Sequence, residues 1–186
     1  MPPFRMATER LVLRVCRPEE ARLLRGAIDS SIDHLKAWLP WALKEPRSLE
    51  ETRELVVRGA KQFADGEDFM YTIFDPSETE VLGGAGLHRR VEAGCLEMGY
   101  WIRANRIGRG YATEAARALS TVALQISGVD RVQIDCDPRN ERSIRIPAKL
   151  GYEFLELRVA NKVTPAGQPR DTMVFELRRA AFASPT

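Results

Sequence analysis

A chain of 186 residues, 44% of them hydrophobic, has the length of one domain and enough apolar side chains for a core of its own. With 28 basic and 26 acidic residues the net charge is only +2, which argues against a nucleic-acid-binding surface. Three cysteines, Cys16, Cys95 and Cys136, are odd in number and lack CxxC spacing, so neither a disulfide framework nor a metal site is expected.

No apolar run approaches the roughly 20 residues of a membrane span, and Met1 to Arg14 holds no stretch of signal-peptide type. A cytoplasmic protein with no membrane partner is expected. From the N-terminus, Leu11, Leu13 and Val15 alternate against Arg10 and Arg14, the period of a half-buried strand. Pro18, Glu19 and Glu20 have the makeup of a helix's first turn, and Ala21, Leu24 and Ile28 extend an apolar stripe to about Asp29. Between Ser30 and Pro46 the apolar positions Ile32, Leu35, Trp38, Leu39 and Trp41 are interrupted by Pro40, which predicts a short helix running into a bent loop. Trp38 and Trp41 either line a pocket there or cover the core. Ser48-Leu49-Glu50-Glu51 is a capping-box pattern and opens a helix to Gly66.

Phe69 to Phe74 reads as a strand, Asp75-Pro76-Ser77-Glu78 as a turn, and Val81 to His88 as the returning strand. Gly83, Gly84 and Gly86 weaken that strand unless a ligand or a neighbouring helix comes close to its backbone. Leu96, Met98, Tyr100 and Ile102 then alternate with Glu97, Gly99 and Trp101. The strand runs into Asn105 to Glu114, a glycine-rich turn that opens the helix Tyr111 to Ser127. Gly108 and Gly110 can take positive φ, and the first N–H groups of the helix are unpaired at the positive end of its dipole. That is the outline of an anion site, to which Arg106 and Arg109 add charge. A P-loop would carry Lys and then Ser or Thr where Tyr111-Ala112 stands. A dinucleotide fingerprint keeps Gly108, Gly110 and Asp130 but has Thr113 in place of its third glycine, and an antiparallel meander precedes it. A plain glycine-capped turn is the bland alternative.

Ala112, Ala115, Ala116, Leu119, Val122, Ala123 and Ile126 form the apolar face of the helix, and Gly128 ends it. Arg131 to Cys136 is a strand. Asn140 can cap a helix running to Leu150, within which Pro147 removes the bond to the Ser143 carbonyl and predicts a kink or a late start. Tyr152 to Val159 and Thr172 to Leu177 pair as a final hairpin around a loop from Asn161 to Arg170. The order is β-α-α-β-β-β-α-β-α-β-β in a single domain.

In this order, four pieces resemble the GNAT superfamily of N-acetyltransferases, and within it the Rim-type ribosomal-protein N-acetyltransferases. They are Thr8-Glu9-Arg10-Leu11-Val12-Leu13-Arg14, Glu97-Met98-Gly99-Tyr100-Trp101-Ile102, Gly108-Arg109-Gly110-Tyr111-Ala112-Thr113-Glu114-Ala115, and Asn140-Glu141-Arg142-Ser143 leading to Lys149-Leu150-Gly151-Tyr152. The resemblance implies an α/β (α+β) fold: a mixed, largely antiparallel sheet of about seven strands, splayed between the fourth and fifth, with helices on both faces. It implies acetyl-CoA in that splay, its pyrophosphate on the N–H groups from Gly108 to Thr113 and its pantetheine along the strand ending at Ile102. The implied cofactor contacts are Tyr100, Trp101, Ile102, Arg103, Arg106, Gly108, Arg109, Gly110, Tyr111, Ala112, Thr113 and Asn140. The family's loop usually begins with Gln or Arg where Asn105 stands, which leaves the charge to Arg106 or Arg109.

Acetyl transfer to an amine needs a neutral nitrogen, a polarised thioester carbonyl and a proton for the leaving thiolate. Glu97, two residues before Gly99 on the strand that flanks the thioester, is the candidate base. Ser143 of Asn-x-x-Ser is the candidate donor, with Asn140 holding CoA or the neighbouring backbone. The Tyr that many members carry seven residues after this asparagine is replaced by Pro147. His88 is a second candidate base, and with Trp38 and Trp41 it is assigned to the acceptor's site. The acceptor stays open between a protein N-terminus and a small-molecule amine, and a homodimer is compatible with the chain. A non-catalytic acyl-CoA-binding module and a dinucleotide-dependent oxidoreductase are the alternative readings.

Overall fold

A computed structural model of the chain describes residues 1–164 and 167–182. The strands are β1 (Arg5–Ala7), β2 (Val12–Arg14), β3 (Asp68–Phe74), β4 (Val81–His88), β5 (Cys95–Ile102), β6 (Arg131–Cys136), β7 (Glu153–Val163) and β8 (Pro169–Arg178). The helices are α1 (Ala21–Asp29), α2 (Ile32–Lys36), α3 (Leu49–Ala64), α4 (Tyr111–Gln125), α5 (Glu141–Lys149) and the short α6 (Arg179–Phe182). The strands make one sheet in the order β1-β2-β3-β4-β5-β6-β8-β7. Among the described strands only β5 and β6 are parallel neighbours. A dinucleotide-binding unit is built on successive parallel βαβ strands, so this topology removes the oxidoreductase reading.

The sheet has an eighth strand, because β1 adds to the N-terminal edge. At three residues, with only Met6 half-buried, it is too short to show a period in the sequence. The final hairpin also reaches further than its composition suggested. Lys162 pairs with Arg170 and Val163 with Pro169, so half of the expected Asn161 to Arg170 loop, residues 161–163 and 169–170, is strand. Pro169 opens β8, where proline is tolerated. Residues 165 and 166 of that loop lie outside the described residues. The Ser48 capping box forms as read: its Oγ accepts from the Glu51 N–H at 3.1 Å and its own N–H donates to Glu51 at 2.7 Å. In α5 the late start does not occur, since the helix follows Asn140 at once and contains Pro147.

One face of the sheet carries the main core, in which Phe69, Tyr71, Leu87, Leu96 and Met98 meet Ala115, Ala116 and Leu119 of α4. Phe63 of α3 closes one end, its ring 5.3 Å and 5.2 Å from those of Phe69 and Tyr71. On the opposite face Val12, Phe74 and Val81 pack against Ala27 of α1. The β5–β6 ladder holds only at Cys95↔Arg131, Leu96↔Val132 and Glu97↔Gln133. From Met98 onward β5 keeps β4 on one side and, among the described residues, has no strand partner on the other. This is the splay the resemblance implied. Among the described residues no helix is long and apolar enough to cross a membrane.

Candidate active site

A cleft of about 1620 Å³ runs from the glycine turn through the splay and across the β3–β4–β5 face beneath α1, α2 and α3. At the turn, Gly108 and Gly110 have φ of 77° and 81°, a region that side chains disfavour. A Cβ on Gly108 would meet nothing within 4 Å, whereas one on Gly110 would lie 3.4 Å from Arg10 Nη2. Gly110 is the N-cap of the 15-residue α4, so its first N–H groups face the cleft with the helix dipole behind them. The loop is fastened from the N-terminal hairpin. Glu114 accepts from Thr8 Oγ1 at 2.5 Å and from the Arg10 N–H at 2.9 Å, and pairs with the Arg10 guanidinium at 2.6 Å. Arg10 also donates to the Arg109 carbonyl at 2.9 Å and lies over the Tyr111 ring. Burial raises the Glu114 pKa, but the hydrogen bonds from Thr8 and Arg10 outweigh it and hold the carboxyl below its usual range.

Each of the three arginines assigned to the cofactor has a contact within the chain. Arg106 lines the cleft, but both oxygens of Glu80 hold its guanidinium, at 2.9 and 2.7 Å. Arg103 does not line it and is tied to Ser30 and Glu80 at 3.0 and 3.1 Å. Arg109 does not line it either, and it contributes a backbone carbonyl to Arg10. Arg103 and Arg106 thus share Glu80, a partner that sequence spacing does not reveal. Tyr100, Trp101, Ile102, Gly108, Gly110, Tyr111, Ala112, Thr113 and Asn140 all line the cleft.

Where β5 and β6 part, a hydroxyl cluster fills the gap. The Asn140 side chain caps α5 by accepting the Ser143 N–H at 3.2 Å. That cap turns the Ser143 hydroxyl toward Tyr100 OH, at 3.2 Å, and Cys136 Sγ, at 3.4 Å. Pro147 has no N–H for the Ser143 carbonyl four residues back, and the Tyr100 hydroxyl lies 3.4 Å from that carbonyl. The tyrosine missing from α5 thus has a phenol in the splay after all, supplied by β5. Burial pushes the Tyr100 hydroxyl well above its ordinary pKa and the Cys136 thiol up to about 11, so both are neutral at physiological pH.

Across the sheet, strand register lines up three rungs: Asp68–His88–Glu97, Met70–Gly86–Gly99 and Thr72–Gly84–Trp101. All nine residues line the cleft. The Trp101 indole lies over Gly84, where a Cβ would sit 2.5 Å from Nε1. The His88 ring lies over Gly86, where a Cβ would sit 3.0 Å from Nε2. Gly84 and Gly86 therefore make room for side chains of their own sheet, Trp101 at the first and Met70 and His88 at the second, while Gly83 lies against the Trp101 backbone carbonyl. His88 Nδ1 is 2.5 Å from Asp68 Oδ1, and Glu97 is 3.9 Å from Arg90. Trp41 meets Trp101 edge-on with ring centroids 6.1 Å apart, and both pack on the Ile28, Leu35 and Ala42 cluster. Trp38 lines the cleft, and its carbonyl accepts from buried Arg170 of β8 at 3.1 Å, which joins the Trp38 segment to the final hairpin. His34 of α2 lines the same wall, its pKa lowered by burial and by Arg142.

Sequence reasoning missed Asp68, Arg10, Thr8, Glu114 and the Tyr100 side chain as parts of the site. Asp68 and His88 are 20 residues apart and Arg10 and Glu114 are 104 apart, so no local spacing could pair them. The resemblance did place Thr8, Arg10 and Glu114 in shared motifs, which was the available signal.

Comparison with known proteins agrees with this geometry. Residues 10–153 match the family model described as "Acetyltransferase (GNAT) domain". The chain is 29% identical over 147 residues to a putative ribosomal N-acetyltransferase of Bacillus subtilis, covering 77% of this chain and 78% of that one. It is 27% identical over 158 residues to the ribosomal protein uS5-alanine N-acetyltransferase of Escherichia coli, covering 82% and 80%. Among solved structures, a probable acetyltransferase superposes with TM-score 0.86 at 25% identity, covering 95% of this chain and 98% of that one. A ribosomal L7/L12 α-N-protein acetyltransferase in complex with coenzyme A superposes with TM-score 0.84 at 21% identity, covering 96% and 98%. The open N–H face at Gly108 and Gly110, and the β5 edge left without a strand partner, suit the pyrophosphate and the amide chain of an acyl-CoA. The chain belongs to the GNAT acetyltransferase family and is an acetyl-CoA-dependent N-acetyltransferase.

Proposed function

We propose that the acceptor is the α-amine of a protein or peptide N-terminus, entering over the β3–β4–β5 face. The observation that carries this reading is the continuity of the cleft from the glycine turn to the Asp68–His88–Glu97 rung, with carboxylates at both ends of the rung to attract an ammonium group. The relatives named as a putative ribosomal N-acetyltransferase and as a ribosomal protein uS5-alanine N-acetyltransferase support a protein acceptor.

In this reading the N–H groups from Gly108 to Thr113 hold the pyrophosphate, and the free β5 edge from Met98 to Ile102 pairs with the pantetheine amides. Acetyl-CoA supplies the reactive thioester. Asn140 fixes the start of α5, so that the Ser143 hydroxyl, backed by Tyr100, faces the departing sulfur and gives it a proton. Glu97 draws the ammonium group to the rung. Trp38 and Trp41 flank the residues that follow the acceptor amine. Rate enhancement comes mainly from holding amine and thioester together, with proton management added. The exposed edge strand β7 is the surface we assign to a second copy of the chain.

The test is thiol release from acetyl-CoA over a panel of peptide N-termini and small amines, alongside calorimetric titration of CoA. Turnover concentrated on peptides supports the reading. Turnover on small amines alone overturns the acceptor class, and tight CoA binding with no turnover anywhere leaves an acyl-CoA-binding module. In Trp38→Ala and Trp41→Ala the acceptor KM should rise; unchanged values would remove the tryptophans from the acceptor site.

A further inference from the structure

We infer that His88, oriented by Asp68, is the group that takes the proton from the acceptor's ammonium, with Glu97 acting as an electrostatic partner rather than the base. This deepens the peptide-amine reading and rests on it. Four observations carry it. The imidazole is buried, yet it lines the cleft. Its Nδ1 lies 2.5 Å from Asp68 Oδ1, one strand away on the same rung. A carboxylate only accepts hydrogen bonds, so Nδ1 carries a proton, and in the neutral ring Nε2 presents the lone pair. The ring's Nε2 edge lies over Gly86 and Gly99, 3.0 and 3.6 Å from where their Cβ atoms would stand. Nε2 thus lies beside Gly99, two residues past the last β5–β6 pair.

The charged groups around the ring make the division of labour. On β3 stands Asp68, and on β5 stands Glu97, directly across from His88. Arg90, beyond the end of β4, pairs with Glu97 at 3.9 Å, and Arg58 of α3 lines the same cleft. Glu97 is shared with Arg90, whereas Nε2 of His88 has no hydrogen-bond partner among the described residues. An imidazole held at Nδ1 by a carboxylate is a common arrangement for a general base. The ammonium nitrogen gives one proton to Nε2. Its freed lone pair forms the bond to the acetyl carbon as the carbon–sulfur bond breaks. The second nitrogen proton leaves with the sulfur by way of the hydroxyl cluster, and the imidazolium returns its proton to water.

The chain has two histidines, so His34→Gln gives a protein in which ¹⁵N imidazole signals report on His88 alone. At neutral pH the expected form has hydrogen on Nδ1 and none on Nε2, and Asp68→Asn should disturb it. A ring with the proton on Nε2 sinks the assignment, whatever the turnover. His88→Gln should lower kcat on the best peptide about 100-fold while CoA affinity stays within about twofold, and should abolish the acidic limb of the pH–rate profile. Asp68→Asn, which keeps the imidazole, should retain that limb in displaced form with a smaller loss. A His88→Gln enzyme that keeps the limb, beside a Glu97→Gln enzyme that loses it, would return the role to Glu97. Failure of the wild type to acetylate any peptide would count against the acceptor class, and the tautomer measurement would still decide the state of His88.

Discussion

The Tyr100 hydroxyl lies 3.4 Å from the Ser143 carbonyl, the acceptor that α5 would otherwise pair with the N–H of residue 147. Proline at that position is therefore coupled to the phenol: Pro147 removes a helical donor, and Tyr100 arrives from β5 beside the orphaned acceptor. The same hydroxyl lies 3.2 Å from Ser143 Oγ, which places two neutral O–H groups where the strands part.

Removing either hydroxyl should slow the chemical step more than it weakens cofactor binding. Ser143→Ala is expected to lower kcat by about 10-fold to 100-fold with CoA affinity within about twofold. Tyr100→Phe should do the same and also destabilise the fold by about 1 kcal/mol, because it leaves the Ser143 carbonyl without that partner. Because the two groups act together, the double variant should lose less than the sum of the single losses. Steady-state kinetics with calorimetric CoA titration checks all three; unaltered kcat in both single variants would remove the pair from the reaction.

The Arg10–Glu114 clamp should matter to CoA affinity although neither side chain is assigned to the ligand. Arg10→Ala frees the Arg109 carbonyl and loosens the turn, and is expected to weaken CoA binding about fivefold to tenfold, roughly 1 kcal/mol. Its pH dependence follows from Glu114, whose folded-state pKa lies below its unfolded value despite burial. The unfolded chain then binds the proton more readily, so this contribution is complete above the usual carboxylate range and is lost as pH falls through the folded value. Thermal unfolding followed from about pH 6 to pH 3 should show a steeper decline for wild type than for Glu114→Gln. Parallel curves would contradict the shift.

All three cysteines should resist alkylation in the folded protein. Burial is the first cause in each case and pushes the Cys16, Cys95 and Cys136 thiols up to about 11, so at pH 8 only about one thiol in a thousand is ionised. Titration with a chromogenic disulfide reagent should be slow in buffer and reach three thiols at once in denaturant. Rapid modification of Cys136 alone would mean that the splay opens more than this structure shows.

The β7 edge should join two copies of the chain. Leu155, Leu157 and Val159 are 46, 47 and 71% exposed on a strand with no neighbour on its outer side. Antiparallel self-pairing centred on Leu157 would place Glu156 against the second copy's arginine at position 158, and the reverse, so the edge is complementary to itself. Sedimentation equilibrium should show a dimer that Leu157→Lys converts to monomer. A monomeric wild type at high concentration would exclude the interface.

What the sequence determined by itself was whatever depends on local order. The alternation through Leu96 to Ile102, the Ser48 capping box, the glycines before Tyr111 and the Asn140 cap are each set by residues a few positions apart, and each forms as read. Four motifs in order were enough to point to the family and its cofactor. Short range is also why the sequence misjudged the hairpin around residue 165, where proline and glycine suggested a loop but cross-strand pairing extended the strands. The tertiary structure alone decided which side chains meet. Register across three strands brought Asp68 to His88 and set Glu97 opposite, and the N-terminal hairpin delivered Arg10 to Glu114. It also brought Glu80 to Arg103 and Arg106, because a charged side chain is drawn to a fixed countercharge nearby, and sequence spacing does not contain that distance.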